Sequence, residues 1–97
     1  MNNCVFLGEV VEDLIISDDD AVKKLSFTLA VDKFRKNKRG ETICDREYLD
    51  FEAWDTGAIA IGENCLVGDL ISVQCTARQN DGHTVFRVNE FRIIESE

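Results

Sequence analysis

Lys24-Leu25-Ser26-Phe27-Thr28-Leu29-Ala30-Val31-Asp32 carries the clearest structural signal in the chain. Leu25, Phe27, Leu29 and Val31 alternate with polar or small residues. That two-residue period belongs to a strand packed on one face and free on the other. The pattern runs on through Lys33-Phe34-Arg35, which predicts a strand over 24–35. The polar stretch Lys36-Asn37-Lys38-Arg39-Gly40-Glu41 then turns the chain back. Asp45–Trp54 is the returning strand, with Leu49, Phe51 and Ala53 on one face and Tyr48, Asp50, Glu52 and Trp54 on the other.

Upstream, residues 3–16 are rich in Val, Leu, Ile and Phe and predict one long first strand. Gly8 inside it marks a bulge or bend, and Ser17-Asp18-Asp19-Asp20 forms an acidic turn. Downstream, Ala58, Ile61, Cys65 and Leu66 lie close to a 3.6-residue period. They predict a short helix with Asp55 or Thr56 as N-cap and Gly68 as its stop. Residues 69–79 alternate again. Asn80-Asp81-Gly82-His83 carries the Asp-Gly hairpin signal. The last strand, 84–94, starts with Phe86 and Val88 inward, and its phase slips toward Phe91 and Ile93. The order β-β-β-α-β-β predicts an all-β fold, a five-stranded Greek-key OB barrel with one short helix between strands 3 and 4. Closure also removes the exposed edges that five such strands would otherwise present.

The 97 residues make one domain, 1–97, with a single modest core. No apolar run approaches the roughly 20 residues that span a bilayer. The opening Met1–Asp13 has no basic start, and Gly8 and Glu9 break its apolar stretch. The expectation is no leader peptide, no membrane partner and a cytoplasmic location. The four cysteines stand 40, 21 and 10 residues apart, and His83 is the single histidine. No pair has zinc-ligand spacing, so the thiols read as small apolar fillers, and neither metal nor other cofactor is implied.

A net charge of −8 repels polyanions on average, yet five of the eleven basic residues fall between positions 33 and 39. They are Lys33, Arg35, Lys36, Lys38 and Arg39. Beside them stand the outward aromatics Phe34, Tyr48 and Trp54, and Arg78 and Arg87 point outward from the last two strands. Aromatic rings stack unpaired bases without regard to sequence, and the cations would hold phosphates. The plainer reading gives the aromatics a helix, loop or subunit interface to cover and leaves the basic run as a solvated loop. Asp50 and Glu52, between Tyr48 and Trp54, oppose a phosphate chain passing there. No nucleophile elbow, glycine-rich phosphate loop or acid–base constellation points to catalysis.

Four stretches of the sequence resemble the single-stranded DNA-binding proteins of bacteria and phages. Phe27–Phe34 is similar to that family's second strand, and Tyr48–Trp54 to its third, with an aromatic at each end. Asn3–Val10 resembles its opening and Val67–Val73 its lead into strand four. The resemblance covers nearly the whole chain. It implies sequence-independent single-stranded DNA binding in replication, recombination or repair. It also implies a homo-oligomer joined through the first strands, a tetramer more than a dimer. It places Phe34, Tyr48 and Trp54 at stacking positions, Lys33 and Arg35 beside the first of them, and Arg78 at a strand-four arginine. Asp50, Asp55 and Cys75 depart from the family pattern, the last hairpin is short, and the expectation is of a barrel without the family's acidic C-terminal tail. Those departures fit a second expectation, an OB-fold protein-interaction module, primosomal or accessory to replication, with weak or no DNA affinity.

Overall fold

The computed structural model describes residues 1–19 and 21–96. In chain order these form β1 (Cys4–Val10), β2 (Ile16–Asp19), β3 (Val22–Lys36), β4 (Thr42–Trp54), α1 (Asp55–Asn64), β5 (Leu70–Asn80) and β6 (His83–Glu95). Five of the strands close on themselves. β1 pairs antiparallel with β5, β5 with β6, β6 runs parallel to β4, β4 pairs antiparallel with β3, and β3 returns to β1. This is the expected all-β barrel, with the helix between its third and fourth strands.

The first expected strand is in fact two. β1 ends at Val10, whose N–H donates to the Asp69 carbonyl at 2.9 Å while its own carbonyl accepts from Gly68 N–H at 2.8 Å. These bonds tie the strand end to the turn before β5, and residues 11–15 cross without strand structure. Ile16 then pairs with Leu25, and β2 lies along β3 outside the closed ring. The stretch expected as an acidic turn is therefore strand through Asp19, and Asp20 lies outside the described residues. Lys23 stands 3.6 Å from Asp18 across this hairpin.

Gly8 carries no bulge, because the β1–β5 register runs unbroken from Cys4↔Cys75 to Glu9↔Leu70. Its role is close approach. A Cβ there would fall 2.9 Å from Leu29 Cβ and 3.2 Å from the Ala30 carbonyl oxygen, where β1 crosses onto β3. The phase slip in the last strand is a register shift between Gln74 and Cys75, which pair with Glu90 and Val88 and leave Asn89 extra. The bulge returns Phe91 and Ile93 to the core side.

The helix begins without the expected Asp55 or Thr56 cap. Trp54, still extended, is its N-cap residue and makes no side-chain cap bond. Asp55 has φ 51°, so the chain kinks directly from strand into helix. Trp54 is the last rung of the β4 ladder, paired with Lys24, which leaves no intervening residue to act as a cap. The helix ends at Asn64, and Gly68 lies beyond it in the turn to β5. Ala58 and Ile61 turn inward. A Cβ on Gly62 would meet Ile16 Cδ1 at 2.7 Å, so the glycine lets the helix sit against β2.

Leu25, Leu29, Phe51, Ile61, Ile71 and Val73 fill the barrel and are fully buried. Phe51 is its centre, with ring centroids 5.6 Å from Phe6, 5.6 Å from Phe27 and 5.5 Å from Phe86. Cys65 and Cys75 are the apolar fillers expected, Cys4 is half-buried, and Cys44 is exposed on β4. Burial pushes the Cys65 thiol up. Burial, and then the neighbouring Cys4, push the Cys75 thiol up to about 11. The β3–β4 ladder runs from Lys24↔Trp54 to Lys36↔Thr42. That is about 40 Å at strand rise. Beyond Val31 and Glu47 the two strands continue as a ribbon with which no third strand of the described residues pairs, and the molecule measures 55 × 33 × 21 Å.

Candidate nucleic-acid interface

Directly paired residues in an antiparallel ladder present their side chains to the same face. The β3–β4 register therefore puts Trp54 with Lys24, Glu52 with Ser26, Asp50 with Thr28, Tyr48 with Ala30, Arg46 with Asp32, Cys44 with Phe34 and Thr42 with Lys36 on one face. Leu25, Phe27 and Leu29 occupy the opposite face, toward the core. The three outward aromatics thus lie on one track, Trp54 at the barrel end, Tyr48 about 20 Å along and Phe34 about 13 Å further.

Tyr48 is 61% exposed and Phe34 is 68% exposed. Among the described residues, no helix or loop covers either ring. Trp54 differs. It is half-buried, the Lys24 ammonium stands 5.0 Å from its ring centroid, and the Arg87 guanidinium stands 5.5 Å away. Its indole Nε1 is buried and has no hydrogen-bond partner among the described residues.

The basic segment divides. Lys36 shares the face of Phe34, but Lys33 and Arg35 alternate onto the other side of the ribbon, paired with Asp45 and Ile43. Sequence neighbours in a strand point apart, so these two flank Phe34 in the chain and not in space. Arg35 Nε also donates to Asp45 Oδ2 at 2.7 Å. Lys38 and Arg39 sit at the ribbon tip, in a turn where the Asn37 side-chain carbonyl accepts from the N–H groups of Arg39 and Glu41. Among the described residues Lys33, Lys36, Lys38, Arg39 and Arg78 make no ion pair.

Arg78 and Arg87 do point outward, from β5 and β6, and both line a depression of about 280 Å³ with Lys24, Glu52 and Trp54. The parallel pairing of β4 with β6 places Arg87 opposite Glu52. Arg87 Nε donates to Glu52 Oε1 at 3.3 Å, and Lys24 Nζ stands 3.9 Å from Glu52 Oε2. The Glu52 side chain is only 9% exposed. Asp50 stays in solvent and accepts from the Thr28 hydroxyl at 3.1 Å.

Two cations of this face escaped the sequence reading. Lys24 belongs to the same even-numbered outward set as Phe34, and counting that set back to the start of the strand finds it. Arg46 donates to Asp32 at 2.9 Å and reaches Glu9 at 3.4 Å, which pins the base of the ribbon to β1. Asp32, and more weakly Glu9, hold its guanidinium more firmly protonated than usual. Its carboxylate partners come from two other strands, and no sequence pattern announces them.

No family model matches this chain, and no curated protein does. Solved structures do. The single-stranded DNA binding protein of Thermus aquaticus, in a deletion variant, superposes with a TM-score of 0.84 at 16% identity over 98% of this chain and 51% of that one. The chain thus spans about half the length of that protein. The PriB protein of Ralstonia solanacearum gives 0.79 at 10% identity, covering 98% of this chain and 99% of its own. The small single-stranded DNA-binding protein of Streptomyces coelicolor gives 0.73 at 17% identity, covering 96% and 94%. At these identities the likeness is one of fold, and the chain has the OB barrel of that type.

Proposed function

We propose that this protein is a non-enzymatic, sequence-independent binder of single-stranded DNA that serves replication, recombination or repair. The observation that carries the reading is the outward track of Trp54, Tyr48 and Phe34, with two of its three rings open to solvent and Lys36, Lys38 and Arg39 at its far end. Exposed rings at this spacing stack unpaired bases, and each is worth about 1–3 kcal/mol. Lys36, Lys38 and Arg39 neutralise backbone phosphates, with Arg78 and Arg87 on the barrel. Lys33 and Arg35 serve from the opposite side of the ribbon, where a strand wrapping its edge meets them. The likeness of fold to two single-stranded DNA-binding proteins supports this reading.

The protein acts as a homo-oligomer joined through β1. The edge of β1 away from β5 meets β3 only at Glu9 and Val10, and Val5 and Leu7 stand exposed beside it. An open apolar edge is a pairing surface.

The acids on the same face, Asp32, Asp50 and Glu52, favour the second reading, a protein-docking OB module. A titration of fluorescently labelled oligo-dT by anisotropy, at low and high salt, separates the two. Saturable binding that weakens with salt is expected. Absence of saturable binding at low salt sinks the DNA reading and leaves protein docking.

A further inference from the structure

Glu52 is an expensive residue in its place. A carboxylate removed from water is tolerated only when cations and hydrogen bonds replace its hydration. Here Lys24 and Arg87 do so, from β3 and β6, and both cations lie over the Trp54 ring. Arg78 adds a third cation to the rim of the same depression. Carboxylate and phosphate present the same acceptor geometry to a guanidinium. The side chains that would cradle a phosphodiester beside an indole are assembled, and a carboxylate of the protein's own already sits among them.

We propose that Glu52 is a built-in competitor for phosphate, which holds Lys24 and Arg87 over Trp54 and keeps this end of the track closed until a DNA phosphate takes its place. The proposal rests on the DNA-binding reading above and names the residue that limits it. Binding at the barrel end exchanges one anion for another, so Lys24 and Arg87 add little to net ion release. Binding at the ribbon tip meets Lys36, Lys38 and Arg39, which have no carboxylate partner to displace among the described residues. Glu52 therefore sets both the affinity and the salt response of the barrel end.

The test compares wild type with Glu52→Gln, an isosteric change, using oligo-dT over a range of salt concentrations. The variant is expected to bind about fivefold tighter or more at low salt, since the lost competitor is a partly desolvated ion pair. Its log K against log salt should steepen by up to about 1.4, roughly 0.7 for each of two released cations on a single strand. Equal or weaker binding with an unchanged slope overturns the proposal while the DNA reading stands. No binding by either protein overturns both. Lys24→Ala, placed in each background, gives a second readout. It should cost more affinity in the Glu52→Gln background than in the wild type, and an equal cost in both means that Glu52 does not hold Lys24. Should Glu52→Gln fail to give a native thermal unfolding transition, Lys24→Ala in the wild type decides alone. A small loss of affinity with little change of slope supports the competitor, and a slope flatter by about 0.7 overturns it.

Discussion

At the barrel end of the β3–β4 ladder, Trp54 lies against Lys24 and Arg87, with Glu52 buried against both. At the ribbon end, Phe34 stands in solvent on the same face as Lys36, which has no carboxylate partner among the described residues. Both ends offer an aromatic and cations on one strand face. The difference is the neighbouring strand. At the barrel end β6 closes the ring and brings Arg87 and the depression with it. At the ribbon end no third strand of the described residues arrives. The same local chemistry is therefore sheltered and pre-paired in one place, open and unpaired in the other.

The largest perturbation would remove what lies under the barrel end. Phe51→Ala empties the centre of the aromatic cluster. It should cost about 3–5 kcal/mol in a denaturant unfolding curve, the usual range for a buried phenylalanine. Loss of less than about 1 kcal/mol would mean that the ring cluster does not anchor β4.

Single ring deletions sharpen the contrast between the two ends. Tyr48→Ala and Phe34→Ala should each weaken oligo-dT binding by about 1–3 kcal/mol, roughly 5- to 150-fold, the range for one stacked base. Their melting temperatures should stay near wild type, because both side chains are exposed. Trp54→Ala should lower affinity several-fold and also lower the melting temperature, since Lys24 and Arg87 lose the ring they pack on. If Trp54→Ala behaves like Tyr48→Ala in both assays, the barrel end is as open as the ribbon.

Alkaline pH acts on the barrel core. The buried Cys75 thiol is pushed from an ordinary 9.0 up to about 11, so the unfolded chain releases this proton first. Stability from this group is intact below pH 9 and falls as pH rises from about 9 to about 11. Unfolding curves across that window should show the decline, and Cys75→Ala should flatten it. The smallest effect belongs to the ribbon tip. Lys38→Ala or Arg39→Ala should each reduce the salt slope of binding by about 0.7 and leave stability unchanged. An unaltered slope would take that cation off the phosphate path.

Alternation alone was enough for β3 and β4, for which core and solvent faces follow from a two-residue period. The phase slip in the last strand likewise announced the Asn89 bulge. The first strand misled because its apolar residues continue past Val10, while the break there is made by backbone bonds to Gly68 and Asp69. The helix cap misled because Asp55 is a good cap residue in isolation, yet the ladder still holds Trp54 when the helix begins.

By itself, then, the sequence determined the barrel class, the strands β3 to β6 with the helix between them, the shared face of Trp54, Tyr48 and Phe34, and the basic hairpin tip. These follow from periods and turn residues, which are local properties of the chain. Tertiary structure alone decided which aromatics are open and which cations are already spoken for. Burial and ion pairing depend on residues far apart in sequence: the β3–β4 ladder sets Lys24 beside Glu52, and Arg87 joins them only because β6 runs parallel to β4 and closes the barrel.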